Sequence, residues 1–310
     1  MFTKLELHGI EVVVYRGDLN HPQISGNKLH KLMPNIEFAQ YRECTGVLSF
    51  GGPFSNHLHA LAWACKEAGL ESIGLVRGEL HDQLTPTLND CLSWSMQLAS
   101  LSRDDYRACQ DILSVLNEPC LLSQLSVNHV LESLCALKIP SLEKILVVPE
   151  GGSNSLAITS LTEAYSQVFQ SIENQNIHVT HAVCATGTGA TLAGLYKAAP
   201  DSIDVIGVQA VAEGDATLER IEGWLGAKDS SNLIVPRLTV QEGHLGRFAK
   251  MPAELMTFVH DFEMQYNIPL DPVYTGKVMF KLSNMIKAGY FNSEDKILFI
   301  HTGGLQGKRV

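Results

Sequence analysis

Residues 181–191 read His181-Ala182-Val183-Cys184-Ala185-Thr186-Gly187-Thr188-Gly189-Ala190-Thr191, a mostly apolar run that stops in a turn of glycine and threonine. HAVCA (181–185) shows no strict alternation of polar and apolar residues, which is how a strand buried on both faces reads. The turn then opens a helical stretch, so its free backbone N–H groups and threonine hydroxyls form a candidate phosphate cradle. A dinucleotide fingerprint needs a third glycine at position 192, which is Leu192, and the next strand runs into Gln209 and Ala210 with no acid for a ribose. No lysine follows the turn in the manner of a nucleoside-triphosphate loop. The residues point to a phosphate ester of another kind, or to a plain structural turn.

The same strand-to-helix pattern recurs outward from this segment. EVVVY (11–15), GVLSF (46–50), SIGLV (72–76), ILVVP (145–149), DVIGV (204–208) and ILFIH (297–301) are further strand candidates. Helical stretches are expected over 56–68, 155–169, 253–266 and 276–287. Strand alternating with helix predicts an α/β protein built on mainly parallel sheet, with ligands at the carboxyl ends of the strands.

A chain of 310 residues is long enough for two packed lobes. Its net charge of −10 lacks the basic stripe of a nucleic-acid binder. The seven cysteines are scattered and form no C-x-x-C pair, which suggests buried apolar residues and not a disulfide framework. The twelve histidines form no H-E-x-x-H pattern, and His57 and His59 would lie on different faces of a helix, so no metal site is expected. No apolar run is long enough to span a membrane and the N-terminus is not a secretory signal, so the expected location is the cytoplasm.

Three more segments sit where strands hand over to helices. Ser25-Gly26-Asn27-Lys28-Leu29-His30-Lys31-Leu32 places two lysines on one face at the start of a helix, where the macrodipole disfavours cations. A solvated lysine pair is the plain reading, a functional amine the sharper one. Phe50-Gly51-Gly52-Pro53-Phe54-Ser55-Asn56-His57 gives the backbone room for a ligand and then opens a helix with capping residues. Asp271-Pro272-Val273-Tyr274-Thr275-Gly276-Lys277 opens a late helix, and His301-Thr302-Gly303-Gly304 follows the last strand.

In this order and spacing the segments SGNKLHKL, GGPFSNH, VPEGGSN, TGTGATLAG, DPVYTGK and HTGG resemble the pyridoxal-phosphate enzymes that include D-cysteine desulfhydrase and 1-aminocyclopropane-1-carboxylate deaminase. The resemblance covers nearly the whole chain. It implies the tryptophan synthase β-like fold (PLP fold type II): two lobes, each a three-layer α/β/α arrangement with a mainly parallel twisted sheet. Residues 1–35 with 151–310 would form the larger, cofactor-binding domain, and 36–150 the smaller one. Position by position, Lys28 matches the lysine that binds pyridoxal 5′-phosphate as a Schiff base, and Lys31 a lysine near its phosphate. Asn56 matches the asparagine on the pyridine hydroxyl oxygen. Gly187, Thr188, Gly189, Ala190 and Thr191 match the phosphate loop, and Thr275 and Thr302 also fall at cofactor positions. Ser55, Asn56 and His57 fall where the substrate carboxylate is held, and Tyr274 where a tyrosine stands over the substrate. The implied catalytic set is Lys28, Tyr274 and Ser55.

Position 275 bears on the reaction. In the cyclopropane deaminases a glutamate there keeps the pyridine nitrogen protonated, whereas Thr275 supplies no charge, as in desulfhydrase-like members. A weaker electron sink suits β-elimination, in which a leaving group discharges the carbanion. The expected activity is therefore β-elimination from a small amino acid to keto acid, ammonia and leaving group. Ring-opening deamination, sulfhydrylase-like β-replacement and a non-catalytic binding protein on the same fold are the alternatives. The resemblance also implies a homodimer. Two departures are Phe54, where a smaller or more polar residue is expected, and Phe248, where relatives often carry a second tyrosine.

Overall fold

The computed structural model describes residues 1–80, 82–115, 118–125, 130, 132, 134, 137, 141–211, 216–226, 235–246 and 251–309. Phe248, Cys135 and Pro140 lie outside the described residues. The chain divides into two compact units, one of Met1–Asn27 with Thr159–Lys308, the other of Lys28–Ile158 with the C-terminal Arg309–Val310.

In the first unit β1 (Phe2–Leu7) and β2 (Ile10–Tyr15) form an antiparallel hairpin closed by Leu7 opposite Ile10. Its two turn residues, His8 and Gly9, both have positive φ (51° and 84°), the conformation whose twist matches a two-residue hairpin. The sheet continues through β8 (His181–Thr186), β9 (Asp204–Gln209), β10 (Leu238–Glu242) and β11 (Lys296–Ile300) in the order β1-β2-β11-β8-β9-β10, parallel from β2 onward. Chain order reverses between β8 and β11, so a ligand crevice is expected at their carboxyl ends. Val12, Val14, Val183, Ile206, Ile297 and Phe299 join Leu255, Val278 and Leu282 in one apolar core.

In the second unit the sheet order is β5-β4-β3-β7-β6, from β3 (Gly46–Gly51), β4 (Glu71–Arg77), β5 (Gln97–Leu101), β6 (Cys120–Leu121) and β7 (Ile145–Val147). β6 is antiparallel to β7 and the other pairs are parallel. The switch point lies between β3 and β7, and β3 is buried along its full length.

Nine described helices complete the chain: α1 (Asn27–Tyr41), α2 (Asn56–Ala68), α3 (Pro86–Ser93), α4 (Arg103–Val115), α5 (Ser155–Asn174), α6 (Ala190–Ala198), α7 (Ala216–Leu225), α8 (Ala253–Tyr266) and α9 (Thr275–Lys287). Among the described residues no helix is long and apolar enough to cross a membrane. The α/β expectation is met in both units, with two antiparallel strand pairs added at sheet edges. The sequence reading grouped residues 1–35 with 151–310. In the described division α1 goes with the second unit, where Lys31 and Asn35 hydrogen-bond to residues 151–154. The six described cysteines are free, and burial pushes the Cys65 and Cys91 thiols up, so both are inert apolar side chains.

Candidate functional site

In the first unit Gly187-Thr188-Gly189 turns the chain from β8 into α6. Gly189 has φ +94°, and a Cβ there would come within 2.8 Å of Ile221 Cγ1, so both backbone and packing require glycine. Thr217 Oγ1 braces the turn by donating to Gly187 O at 3.3 Å. The leading N–H groups of α6 have no acceptor within the helix, which leaves them for an anion. Thr186 Oγ1, buried at the base of the turn, has no partner among the described residues.

Thr191 Oγ1 accepts 2.8 Å from Asn27 Nδ2, leaving its own proton to donate. Asn27 is the residue covalently joined to Lys28, and its position is strapped from several sides. Gly26, at φ +66°, donates its N–H to Gly17 O (2.9 Å) and to Asn20 Oδ1 (2.8 Å). Asn27 N donates to Thr302 O at 3.3 Å. A Cβ on Gly26 would collide with that same Thr302 carbonyl, so Gly26 permits the close approach. The Thr302 turn is set in its own right. His301 Nε2 donates to Pro269 O at 2.7 Å, which makes Nδ1 the acceptor of the Gly303 N–H at 3.2 Å. Burial lowers the His301 pKa, in keeping with this neutral form.

Tyr274 and Thr275 stand at the start of α9. Tyr274 is partly buried against the apolar core, and its Cε1 lies 3.6 Å from where a Gly187 Cβ would sit, which puts the ring beside the α6 turn. Thr275 is fully buried, and its Oγ1 accepts the Asp271 N–H at 2.8 Å. Lys277, also fully buried, donates to Ala210 O (3.1 Å) and His244 O (3.0 Å).

In the second unit Lys28 is half-buried, whereas Lys31 is 2% exposed and donates to Gly151 O (3.1 Å) and Ser153 Oγ (3.2 Å). Ser55 caps α2 by accepting the Leu58 N–H at 3.2 Å, which leaves its own proton as a donor. A Cβ on Gly51 would lie 2.6 Å from Ser55 Cβ, so glycine lets the end of β3 pass under the cap. Asn56 follows in the first turn of α2 and is buried; Phe54 is partly buried.

His57 is held by a chain of hydrogen bonds. Ser49 Oγ gives its single proton to Val148 O at 2.7 Å, so the 2.7 Å contact with His57 Nε2 requires Nε2–H to donate to Ser49. Nδ1 is then a buried lone pair without a partner among the described residues. Burial, with Lys28 and Lys31 adding to it, holds the imidazole well below its usual pKa. Gly152, at φ +69°, makes room for the ring, since a Cβ there would lie 3.2 Å from His57 Cε1 and 3.3 Å from Lys31 Cβ.

Within the first unit the structure brings together the loop 187–191, Tyr274, Asn27 and Thr302; within the second, Lys31, His57 and Lys28 share one electrostatic neighbourhood. Ser49, Asp271 and Lys277 were not assigned roles in the sequence, and Asn27, a residue type suited to capping the helix there, was not foreseen as a partner of Thr191. Three of them, Asn27, Asp271 and Lys277, lie inside the motif segments, but only tertiary partners reveal them.

No family model matches the chain. A Thermotoga maritima protein provisionally named a 1-aminocyclopropane-1-carboxylate deaminase is 28% identical over 315 residues, covering 97% of this chain and 91% of its own. A D-cysteine desulfhydrase of Serratia proteamaculans is 25% identical over 304 residues, covering 96% of this chain and 87% of its own. Among solved structures, a 1-aminocyclopropane-1-carboxylate deaminase homologue superposes with a TM-score of 0.76 at 24% identity over 99% of this chain and 90% of that one. The protein thus has the tryptophan synthase β-like fold of pyridoxal-phosphate enzymes, and its relatives along nearly the whole length carry the two names of the family that its motifs resemble.

Proposed function

We propose that the protein is a pyridoxal-phosphate-dependent lyase that eliminates a β-substituent from a small amino acid of the D-cysteine type, releasing keto acid and ammonia. The observation that carries the reading is the 2.8 Å hydrogen bond from Asn27 to Thr191. It ties the residue next to Lys28 to a loop whose amides, hydroxyls and obligatory glycine suit a phosphate ester. Thr186 Oγ1, buried and unpartnered among the described residues, is a further polar group that a cofactor or its water can satisfy.

In this reading Lys28 would hold the cofactor aldehyde and residues 187–191 its phosphate, with Lys31 and Thr302 as the further groups that the family resemblance assigns to the cofactor. Asn56 donates to the ring oxygen. The cofactor, when bound, supplies the electron sink that stabilises negative charge at the substrate α-carbon. The Lys28 side chain, a primary amine, would take the proton from the substrate α-carbon. Ser55, whose oxygen already accepts at the α2 cap, would donate its proton to the substrate carboxylate alongside Asn56 and the backbone N–H of His57 in the first turn of α2. The imidazole of His57, kept neutral, adds no charge of its own there. Tyr274 places or protonates the leaving group. Thr275 already accepts from Asp271, and a neutral hydroxyl in that environment supports elimination more than cyclopropane ring opening. We take the working form to be a cytoplasmic homodimer, with no nucleic-acid or membrane partner.

The test has two parts. Lys28→Ala should abolish the visible absorbance band of the lysine–cofactor bond; a band that survives the substitution removes Lys28 from the role. A screen of D- and L-amino acids and the cyclopropane acid, with and without sulfide, should show keto acid from a β-substituted substrate. The name carried by the Thermotoga relative favours ring opening instead, and keto acid from the cyclopropane acid alone would establish that reaction.

A further inference from the structure

We propose that Asp271 is the positioning residue for Tyr274, its buried carboxylate fixing residues 273–275 as one rigid turn that presents the phenol. The inference rests on the role of Tyr274 given above. Asp271 is fully buried and hydrogen-bonded to each of residues 273–276. Its Oδ2 accepts the Tyr274 N–H at 2.7 Å and its Oδ1 the Val273 N–H at 3.2 Å. Its own N–H donates to Thr275 Oγ1 at 2.8 Å, and its carbonyl accepts the Gly276 N–H at 2.7 Å. Pro272 locks one more dihedral within the loop. At Gly276 a Cβ would lie 2.9 Å from Asp271 O and 2.8 Å from Val259 Cγ2, so the turn closes only on glycine.

The carboxylate takes the amides of Val273 and Tyr274, the two residues that lead into α9, in a place where burial disfavours its charge, pushing the pKa up to about 7 against the pull of the surrounding N–H groups and Lys277. A costly group kept beside a candidate catalytic side chain marks a functional demand, and the demand this geometry meets is directional. A carboxylate offers two acceptor oxygens at fixed separation and engages two successive N–H groups; asparagine offers one. With both amides held, Tyr274 leaves the turn toward Gly187. Lys277, one turn later, ties the same helix to Ala210 and His244.

The experiment is a double-mutant cycle in the holoenzyme, using Asp271→Asn, Tyr274→Phe and the pair, with amide hydrogen exchange at Tyr274 followed in cofactor-free protein. Exchange at the Tyr274 amide should quicken roughly tenfold in Asp271→Asn and more in Asp271→Ala. Turnover should fall about ten- to hundredfold in Asp271→Asn with KM little changed. In the Tyr274→Phe background Asp271→Asn should cost nothing further, because the group it aims is gone. Independent, multiplying losses would overturn the inference by making Asp271 a general structural residue. Unchanged exchange would overturn it while leaving the proposed function standing. A Tyr274→Phe variant with native turnover would overturn both the role of Tyr274 and this inference. Should Asp271→Ala fail to fold, the asparagine cycle decides alone.

Discussion

The first unit offers a ligand backbone amides and hydroxyls, in the turn 187–191 braced by Thr217 and Asn27, whereas the candidate groups of the second are side chains: Lys28, Lys31, Ser55, Asn56 and His57. Among the titratable groups that burial shifts, Asp271 in the first unit and His57 in the second move in opposite directions. In the first, burial raises the Asp271 carboxyl from 3.8 to about 7; in the second, burial and two nearby lysines depress the His57 imidazole well below 6.5. Burial disfavours whichever form carries charge, so an acid and a base respond in opposite directions. Both units hold these groups toward neutrality by solvent exclusion and fix them by hydrogen bonds to backbone or to a hydroxyl.

In the first unit the largest effect is expected where Gly26 passes the Thr302 carbonyl. Gly26→Val places a side chain at φ +66° against the Thr302 carbonyl and should cost on the order of 4–5 kcal/mol, much of the stability of an ordinary protein. A denaturant midpoint within error of wild type would show that the chain before Lys28 is not clamped as described.

The two buried groups give stability opposite dependences on pH. Between pH 4 and 7 the unfolded chain has lost the Asp271 proton that the folded one keeps, so this residue lowers stability as pH rises through that window. Below pH 6.5 the unfolded chain binds a proton that folded His57 refuses, so His57 lowers stability as pH falls. Relative to wild type, Asp271→Asn should tilt the plot of unfolding midpoint against pH upward toward neutrality, by at most a few kcal/mol at about 1.4 kcal/mol per pKa unit. His57→Gln should tilt it the other way. Tilts of the same sign would contradict the burial argument.

The smallest effect concerns Asn27→Ala, which removes one hydrogen bond to Thr191 and should cost about 1 kcal/mol of stability. It should also weaken pyridoxal-phosphate binding severalfold, measured by equilibrium titration. Unchanged affinity would separate Asn27 from the loop's function.

Legibility followed burial. Strands such as β3 and β8, apolar along their length, were plain in the sequence within a residue or two, and α2 and α8 matched expectation at both ends. The strands not foreseen, β1, β5, β6 and β10, lie at sheet edges; β6 is only two residues long, and in the others polar residues such as Lys4, Glu6, Gln97, Ser100 and Gln241 interrupt the apolar run. Likewise Ser55 was readable as a cap because capping is local, but Asn27, equally suited to cap, sends its side chain to Thr191, 164 positions away.

By itself the sequence determined the α/β class, the cradle-like turn after β8 and the order of motifs by which the family resemblance is recognised, because these rest on neighbouring residues and their periodicity. Tertiary structure alone decided the tautomer of His57, the clamp that Asp271 places on Tyr274 and the strap that Thr302 places on Asn27. Each depends on which buried donor finds which acceptor, and that is fixed only once the chain has excluded water around them.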